Sequence, residues 1–273
     1  MPAPSAVLAS EISDLKSRNA HPAFGPVKLG PDSWANLPLG RGVTLLNADA
    51  SGLAALSKPA GVLSHPNRAG EESRSLLQAP YEFEGEFFAW TTGGEKRRLW
   101  LLNRLDSATS GVILVAAEAE LAAAIRAHFK RKQVHKVYQA LVFGAPREAR
   151  EVWRDRLAVE KRAGRIRTTA AGHVPAECAM AVVRRGPECA LLRLEPRTGR
   201  SHQLRVQCAR RGLPIVGDQT YGDFARNREF ARRTGAKRLF LHSLSTAFAY
   251  EHAGREHAFT ATAPLPEEFT KFL

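Results

Sequence analysis

Two short apolar runs, Leu99-Trp100-Leu101-Leu102 and Val112-Ile113-Leu114-Val115, enclose the polar stretch from Asn103 to Gly111. Runs of this length read as buried strands, and the stretch between them reads as their connection. That connection, Asn103-Arg104-Leu105-Asp106-Ser107-Ala108-Thr109-Ser110-Gly111, sets a lone carboxylate close to an arginine between two rigid elements. Such a placement can present an ionised carboxylate in a cleft. The same residues also suit a surface hairpin whose Asp, Ser and Thr make turn hydrogen bonds only.

Further strands are expected over Val43–Leu46, Leu53–Ser57, Val137–Phe143, Trp153–Val159, Cys178–Val183, Ala190–Leu194, Leu239–Phe248 and Ala258–Thr262. Lys58-Pro59-Ala60-Gly61 breaks regularity in a loop, and Gly93-Gly94 reads as a turn. Glu118 to Lys132 is the clearest helix. Leu121, Ile125 and Phe129 recur every four residues, with acids early and Lys130-Arg131-Lys132 late, as the helix dipole favours. Arg200 to Arg211 reads as a second helix, stopped by Gly212. Leu265 to Phe272 reads as a closing one, and Val7, Leu8, Ile12 and Leu15 suggest a short amphipathic helix near the start. Strands outnumber long helices and do not alternate strictly with them. The expectation is an α+β domain with a mixed, largely antiparallel central sheet, flanked by helices and loops.

Charge narrows the partners. Among 273 residues, 40 Lys and Arg face 27 Asp and Glu, a formal charge of +13, which suits a polyanion and most simply nucleic acid. Arginine predominates over lysine, and its planar fork suits phosphates and bases. A genome biased to GC enriches Arg and Ala without any such partner. No apolar run approaches the ~20 residues of a membrane span, and no basic n-region marks a signal peptide. Cys178, Cys189 and Cys208 form no C-x-x-C pair, which speaks against zinc and a disulfide framework and fits the cytoplasm. No metal or cofactor motif is recognisable.

Three distant segments accompany the loop. In Leu194 to Val206 a strand ends near Pro196 and turns at Thr198-Gly199 into a helix, a junction suited to phosphate. Arg200 and Arg205 lie too far apart for one helical turn and would serve different partners, although surface arginine is the commoner case. In His135 to Val142, Tyr138 shares a strand face with Lys136 and Ala140. It could stack a base or fill the core. Arg238-Leu239-Phe240-Leu241-His242-Ser243 reads as a buried strand with a structural histidine.

In order, these segments resemble the RluA-type family of RNA pseudouridine synthases. The likeness runs from about Leu45 to about Phe248: Ser57-Lys58-Pro59-Ala60-Gly61 with His65-Pro66, the Asn103–Gly111 stretch, Lys136–Val142, Thr198–Val206, Gly212–Gly222 and Arg238–His242. Asn103 stands where the family usually has His, Ser57 where it has Asn, and Ser201 where it has Thr. The resemblance implies the pseudouridine synthase fold with an active-site cleft over residues 41–273, and an extension over 1–40 too short for the S4 domain of many relatives. It implies that Asp106 is the nucleophile, Arg205 its ion-pair partner and Tyr138 the platform for a flipped uracil. Arg104 would enter the RNA stack, Leu241 would pack near the base, and Lys58 would line the cleft. Thr109 and Arg200 complete the implied substrate-binding set. No cofactor or metal is implied, and the partner is ribosomal or transfer RNA, bound by a monomer.

Two other classes compete. A non-catalytic RNA-binding or RNA-folding protein could use the same scaffold, although it has no need of Asp106, Tyr138 and Arg205 together. A metal-dependent nuclease needs clustered carboxylates, for which Asp106 and Asp218 are the tempting pair. Lys96-Arg97-Arg98 and Arg232-Arg233 are further candidates for phosphate contacts or solvated faces.

Overall fold

The structure is a computed structural model that describes residues 34–162 and 165–273. The helix expected over Val7–Leu15 lies outside the described residues.

Twelve strands, counted among the described residues, join in one sheet. They are β1 (Thr44–Ala48), β2 (Leu53–Lys58), β3 (Tyr81–Glu82), β4 (Phe87–Thr92), β5 (Glu95–Leu101), β6 (Ser110–Ala116), β7 (His135–Phe143), β8 (Arg150–Arg162), β9 (Arg165–Arg185), β10 (Cys189–Pro196), β11 (Leu241–His252) and β12 (Arg255–Thr262). The main path runs β3-β4-β5-β6-β11-β7-β10-β9-β8, with β1, β2 and β12 branching from it. The β6–β11 pair is parallel and the other strand pairs are antiparallel, so the sheet is mixed and largely antiparallel, as expected.

The central strand shows why the pattern was readable. All seven residues of β6, Ser110 to Ala116, are buried. A strand covered on both faces reads as a continuous apolar run rather than an alternation. Its neighbour β2 pairs with it from Leu53↔Ala116 to Lys58↔Gly111. Helix α1 (Ala119–Lys130) turns Leu121, Ala122 and Ile125 inward onto a core shared with Val112, Leu114 and Phe248. A second core gathers β7, β10 and the start of β11 under helix α2 (Gln203–Arg210), through Leu204 and Cys208.

The parallel seam is short: His242↔Ser110 and Ser243↔Gly111. Gly111 has φ +114, and a Cβ there would lie 2.1 Å from the Ser243 carbonyl oxygen. No other residue fits that approach without moving backbone.

Three expectations change. The closing helix over Leu265–Phe272 is reduced to a single 3₁₀ turn, Glu267–Phe269, which starts only after Pro266 because Pro266 itself is extended, with ψ 134. The helix expected from Arg200 begins only at Gln203, because His202 sits in the left-handed region with φ 54. An unexpected helix, α3 (Phe224–Thr234), is capped by the Asp223 carboxylate, which accepts from the Ala225 and Arg226 N–H groups, and ends at Gly235 with φ 75.

Candidate active site

The connection between β5 and β6 is fastened at nearly every residue. The Asn103 side-chain oxygen accepts the Leu114 N–H at 2.7 Å, tying the start of the loop to β6. The Ser64 hydroxyl donates to the Leu105 carbonyl at 2.7 Å and accepts the Leu105 N–H at 3.0 Å. The Thr109 N–H closes a turn onto the Asp106 carbonyl at 3.0 Å. Thr109 itself is buried, so its side chain belongs to the loop's underside.

Beneath the loop lies Lys58, at the end of β2 and wholly excluded from solvent. Its ammonium donates to the carbonyls of Pro59 at 3.0 Å, Val62 at 2.7 Å and Ser107 at 3.1 Å. Burial lowers its pKa to about 7, against an upward pull from Asp106 and with a further push down from Arg238. Rather than lining an open cleft, Lys58 braces the backbone next to Asp106 from below. The loop's exit is held by a directed chain: Arg238 donates to the Ser110 hydroxyl, Ser110 donates to His242 Nδ1, and His242 Nε2–H faces the Ala263 carbonyl at 3.2 Å. His242 is buried, and burial lowers its pKa to about 4, so it stays neutral and structural.

On this support Asp106 remains partly open, with its side chain 31% exposed. Arg205, on α2, donates to Asp106 Oδ2 at 2.9 Å and places its other two contacts on Asp218, at 2.8 and 2.7 Å. One guanidinium thus bridges two carboxylates 112 residues apart in sequence, with the fork geometry that lysine lacks. Asp218 is almost wholly buried and also accepts the Thr220 and Tyr221 N–H groups. Burial pushes its carboxyl up, but Arg205 and these backbone donors outweigh it and hold it below its ordinary value. Asp106 and Asp218, the pair a nuclease would use, already share an organic cation.

Tyr138 stands in register with Leu194 on one side and Ser243 on the other, packed against the core that contains Leu241 and Leu204. Burial raises the pKa of its hydroxyl, against a smaller downward pull from Ser243. Leu241 is buried in the same cluster. Arg104 lies at the rim, 62% exposed and 3.8 Å from Glu86. The same Glu86 meets Arg126 of α1, which also donates to the Leu101 carbonyl where β5 gives way to the loop. Arg200 is directed elsewhere, with its Nε donating to the Pro175 carbonyl of β9 at 3.3 Å. Of the expected residues, the structure gathers Asp106, Arg205, Tyr138 and Leu241, sets Lys58 and Thr109 underneath, and leaves Arg104 and Arg200 on the periphery. Arg98 lies over the Phe87 ring, and Arg232 and Arg233 pair with Glu229 and Glu188.

Sequence reasoning missed Asp218 as the second anchor of Arg205, and it missed His202 and Tyr221. His202 Nε2 lies 3.7 Å from Asp106 Oδ2, and its Nδ1 lies 2.7 Å from the Tyr221 hydroxyl. Burial lowers the His202 pKa, and Arg205 adds to that against the pull of Asp106. A signal was present: both residues stand inside the quoted segments Thr198–Val206 and Gly212–Gly222, without a role attached.

Comparison with known proteins gives a consistent result. Residues 52–210 match the family model described as RNA pseudouridylate synthase. The chain is similar to ribosomal large subunit pseudouridine synthase C of Vibrio vulnificus (strain CMCP6), 34% identical over 177 residues, 65% of this chain and 55% of the relative. The chain therefore spans about half the length of that relative. It is also similar to tRNA pseudouridine synthase C of Vibrio cholerae serotype O1, 31% identical over 214 residues, 73% of this chain and 83% of the relative. Among solved structures it resembles human RNA pseudouridylate synthase domain containing 1, with TM-score 0.62 and 25% identity over 82% of this chain and 84% of that one.

Proposed function

This chain belongs to the RNA pseudouridylate synthase family, and from that membership we propose that it isomerises uridine to pseudouridine in structured RNA, with Asp106 as nucleophile. Residues 41–273 form the catalytic domain in this reading, and ribosomal or transfer RNA is the substrate. The observation that carries it is the Asp106–Arg205–Asp218 arrangement on a braced loop. Arg205 holds Oδ2, and Oδ1 has no hydrogen bond among the described residues, so one carboxylate oxygen is fixed and the other is left to attack.

The reaction exchanges the N1–C1′ bond of uridine for a C5–C1′ bond. C5 gives up a proton and N1 gains one, so atoms and electrons balance without a redox partner. Asp106 attacks the nucleoside as the N-glycosidic bond breaks, and the bond it makes is broken again when C5 takes C1′, so the free carboxylate is regenerated. Tyr138 and Leu241 offer an aromatic and an aliphatic surface for the freed uracil as it turns. Taking a base out of a stack costs a few kcal/mol, and Arg104, exposed and held by a single long ion pair, is free to move into the vacated space.

Asp106→Asn tests the assignment. The variant is expected to bind RNA normally and to form no pseudouridine, read by mass spectrometry of digested RNA. Pseudouridine formed by the purified variant rejects the nucleophile. If deletion of the gene removes no pseudouridine from cellular RNA, a non-catalytic RNA-binding protein on this scaffold is the better reading.

A further inference from the structure

His202 occupies an uncomfortable backbone position. It is a non-glycine residue with φ 54 and ψ 16, immediately before α2. Left-handed backbone at such a residue persists only where its surroundings hold it, and it recurs at working sites. What this conformation achieves is legible in the imidazole's contacts. Nδ1 meets the Tyr221 hydroxyl at 2.7 Å, and Nε2 faces Asp106 Oδ2 at 3.7 Å.

The direction of these bonds follows from a third partner. The Tyr221 hydroxyl oxygen accepts the Thr168 backbone N–H, from β9, at 2.9 Å. The hydroxyl's own proton then has the Nδ1 lone pair as its acceptor. A neutral imidazole that accepts at Nδ1 carries its proton on Nε2, which is the nitrogen facing the nucleophile. The other members are fixed as well. The Thr168 hydroxyl donates to the Ser201 carbonyl at 2.9 Å, next to His202 in the chain. The Tyr221 ring lies under the Arg205 guanidinium, 5.1 Å from its centroid, and the Tyr221 N–H donates to Asp218.

We propose that His202 is a positioning residue for Asp106, and that Thr168, Tyr221 and His202 form a directed hydrogen-bond chain from the β8–β9 hairpin to an imidazole whose Nε2 stands 3.7 Å from the nucleophile, a close electrostatic approach rather than a hydrogen bond. Arg205 and His202 then both face Oδ2, and a shift of β9 reaches the imidazole beside the carboxylate through two hydrogen bonds. This rests on the reading of Asp106 as nucleophile.

The test has two arms on the full chain. In the first, ¹⁵N NMR of the histidine side chains in the wild-type protein reads the tautomer. His202 is expected as the Nε2–H form, and a dominant Nδ1–H form overturns the chain. In the second, Tyr221→Phe, His202→Ala and His202→Gln are measured in single turnover on unmodified total RNA from a gene-deletion strain. Misplacing a reacting group costs about 10²-fold, so Tyr221→Phe and His202→Ala are expected to slow the step by about that factor at saturating RNA. Their RNA affinity is expected to stay within about twofold of wild type. His202→Gln, which can offer an N–H near the same place, is expected to recover part of the rate. A Tyr221→Phe rate equal to wild type, or a loss confined to affinity, overturns the proposal. If the wild type itself forms no pseudouridine, the functional reading fails, and the tautomer measurement still decides the geometry.

Discussion

The Asp106 loop and the β8–β9 hairpin solve opposite problems with the same residue types. The loop is eight residues long, 102–109, and takes support from Lys58, Ser64, Leu114, Arg205 and the Arg238–Ser110–His242 chain. Its partners are buried, so each polar group there must be satisfied or its desolvation is felt in full. The hairpin has 13 residues in β8 and 21 in β9, and it meets the body through Trp153, Leu157 and Thr168 on one face. Asp155 is buried there against Arg210 and Arg211, whereas other charges of the hairpin lie toward water, as in the Arg154–Glu177 pair at 3.4 Å. Surface pairs of that kind contribute little, whereas a buried charge left alone is expensive. Aim is built from buried polar bonds, and reach from a long ladder with solvated arginines.

That contrast can be broken at several points. The largest effect belongs to Asp106→Asn, expected to reduce product formation by about 10³-fold or more while leaving the thermal midpoint close to wild type. A midpoint that falls with activity would make Asp106 a structural member of the loop rather than its cargo. Next comes Arg205→Met, which strands Asp218 in the interior. The expected cost is about 3–5 kcal/mol in urea unfolding, and Arg205→Lys should recover only part of it because the fork is lost.

The third test uses acidity. His242 has a pKa lowered to about 4 by burial, against an ordinary 6.5. As pH falls below 6.5 the unfolded chain takes up a proton that the folded chain refuses, so stability drops until about pH 4. The linked loss is about 3 kcal/mol for this group. His242→Asn should remove that share of the slope, seen as the difference between urea curves at pH 7 and 4.5. The smallest effect is expected on the hairpin, where Arg154→Ala should cost less than about 1 kcal/mol. A cost matching Arg205→Met would erase the distinction between the two regions.

The buried half of the molecule was the readable half. Leu99–Leu102 and Val112–Val115 announce strands because both faces of the sheet are covered there, and the carboxylate between them stands out for the same reason. The hairpin hid its length. Between Leu157↔Val174 and Ala158↔Thr169 its register slips, and residues Ala170 to His173 bulge out of the ladder, so the alternation that marks a strand is interrupted. Helix α3 carries few apolar residues, and only its caps, Asp223 and Gly235, signalled it. Asp218 and Tyr221 had their neighbours but no visible partner, because Arg205 and Thr168 reach them through space. Asn103, the departure from the family's usual histidine, shows its use only in the fold, as acceptor of the Leu114 N–H.

The seam between β6 and β11 also has a history in time. Ser110 and His242 are 132 residues apart, yet their contact closes the exit of the Asp106 loop. Contacts so distant pay their chain-closure entropy before they return any stability, and they form late. A chain still being synthesised, with β11 not yet made, has no seat for the Asp106 loop, so the carboxylate is set in place only once nearly all of the sheet exists. Pulse-labelled hydrogen exchange during refolding is expected to protect the Gly111 and Ser243 amides after those of the β8–β9 ladder, and earlier protection at the seam would refute that order.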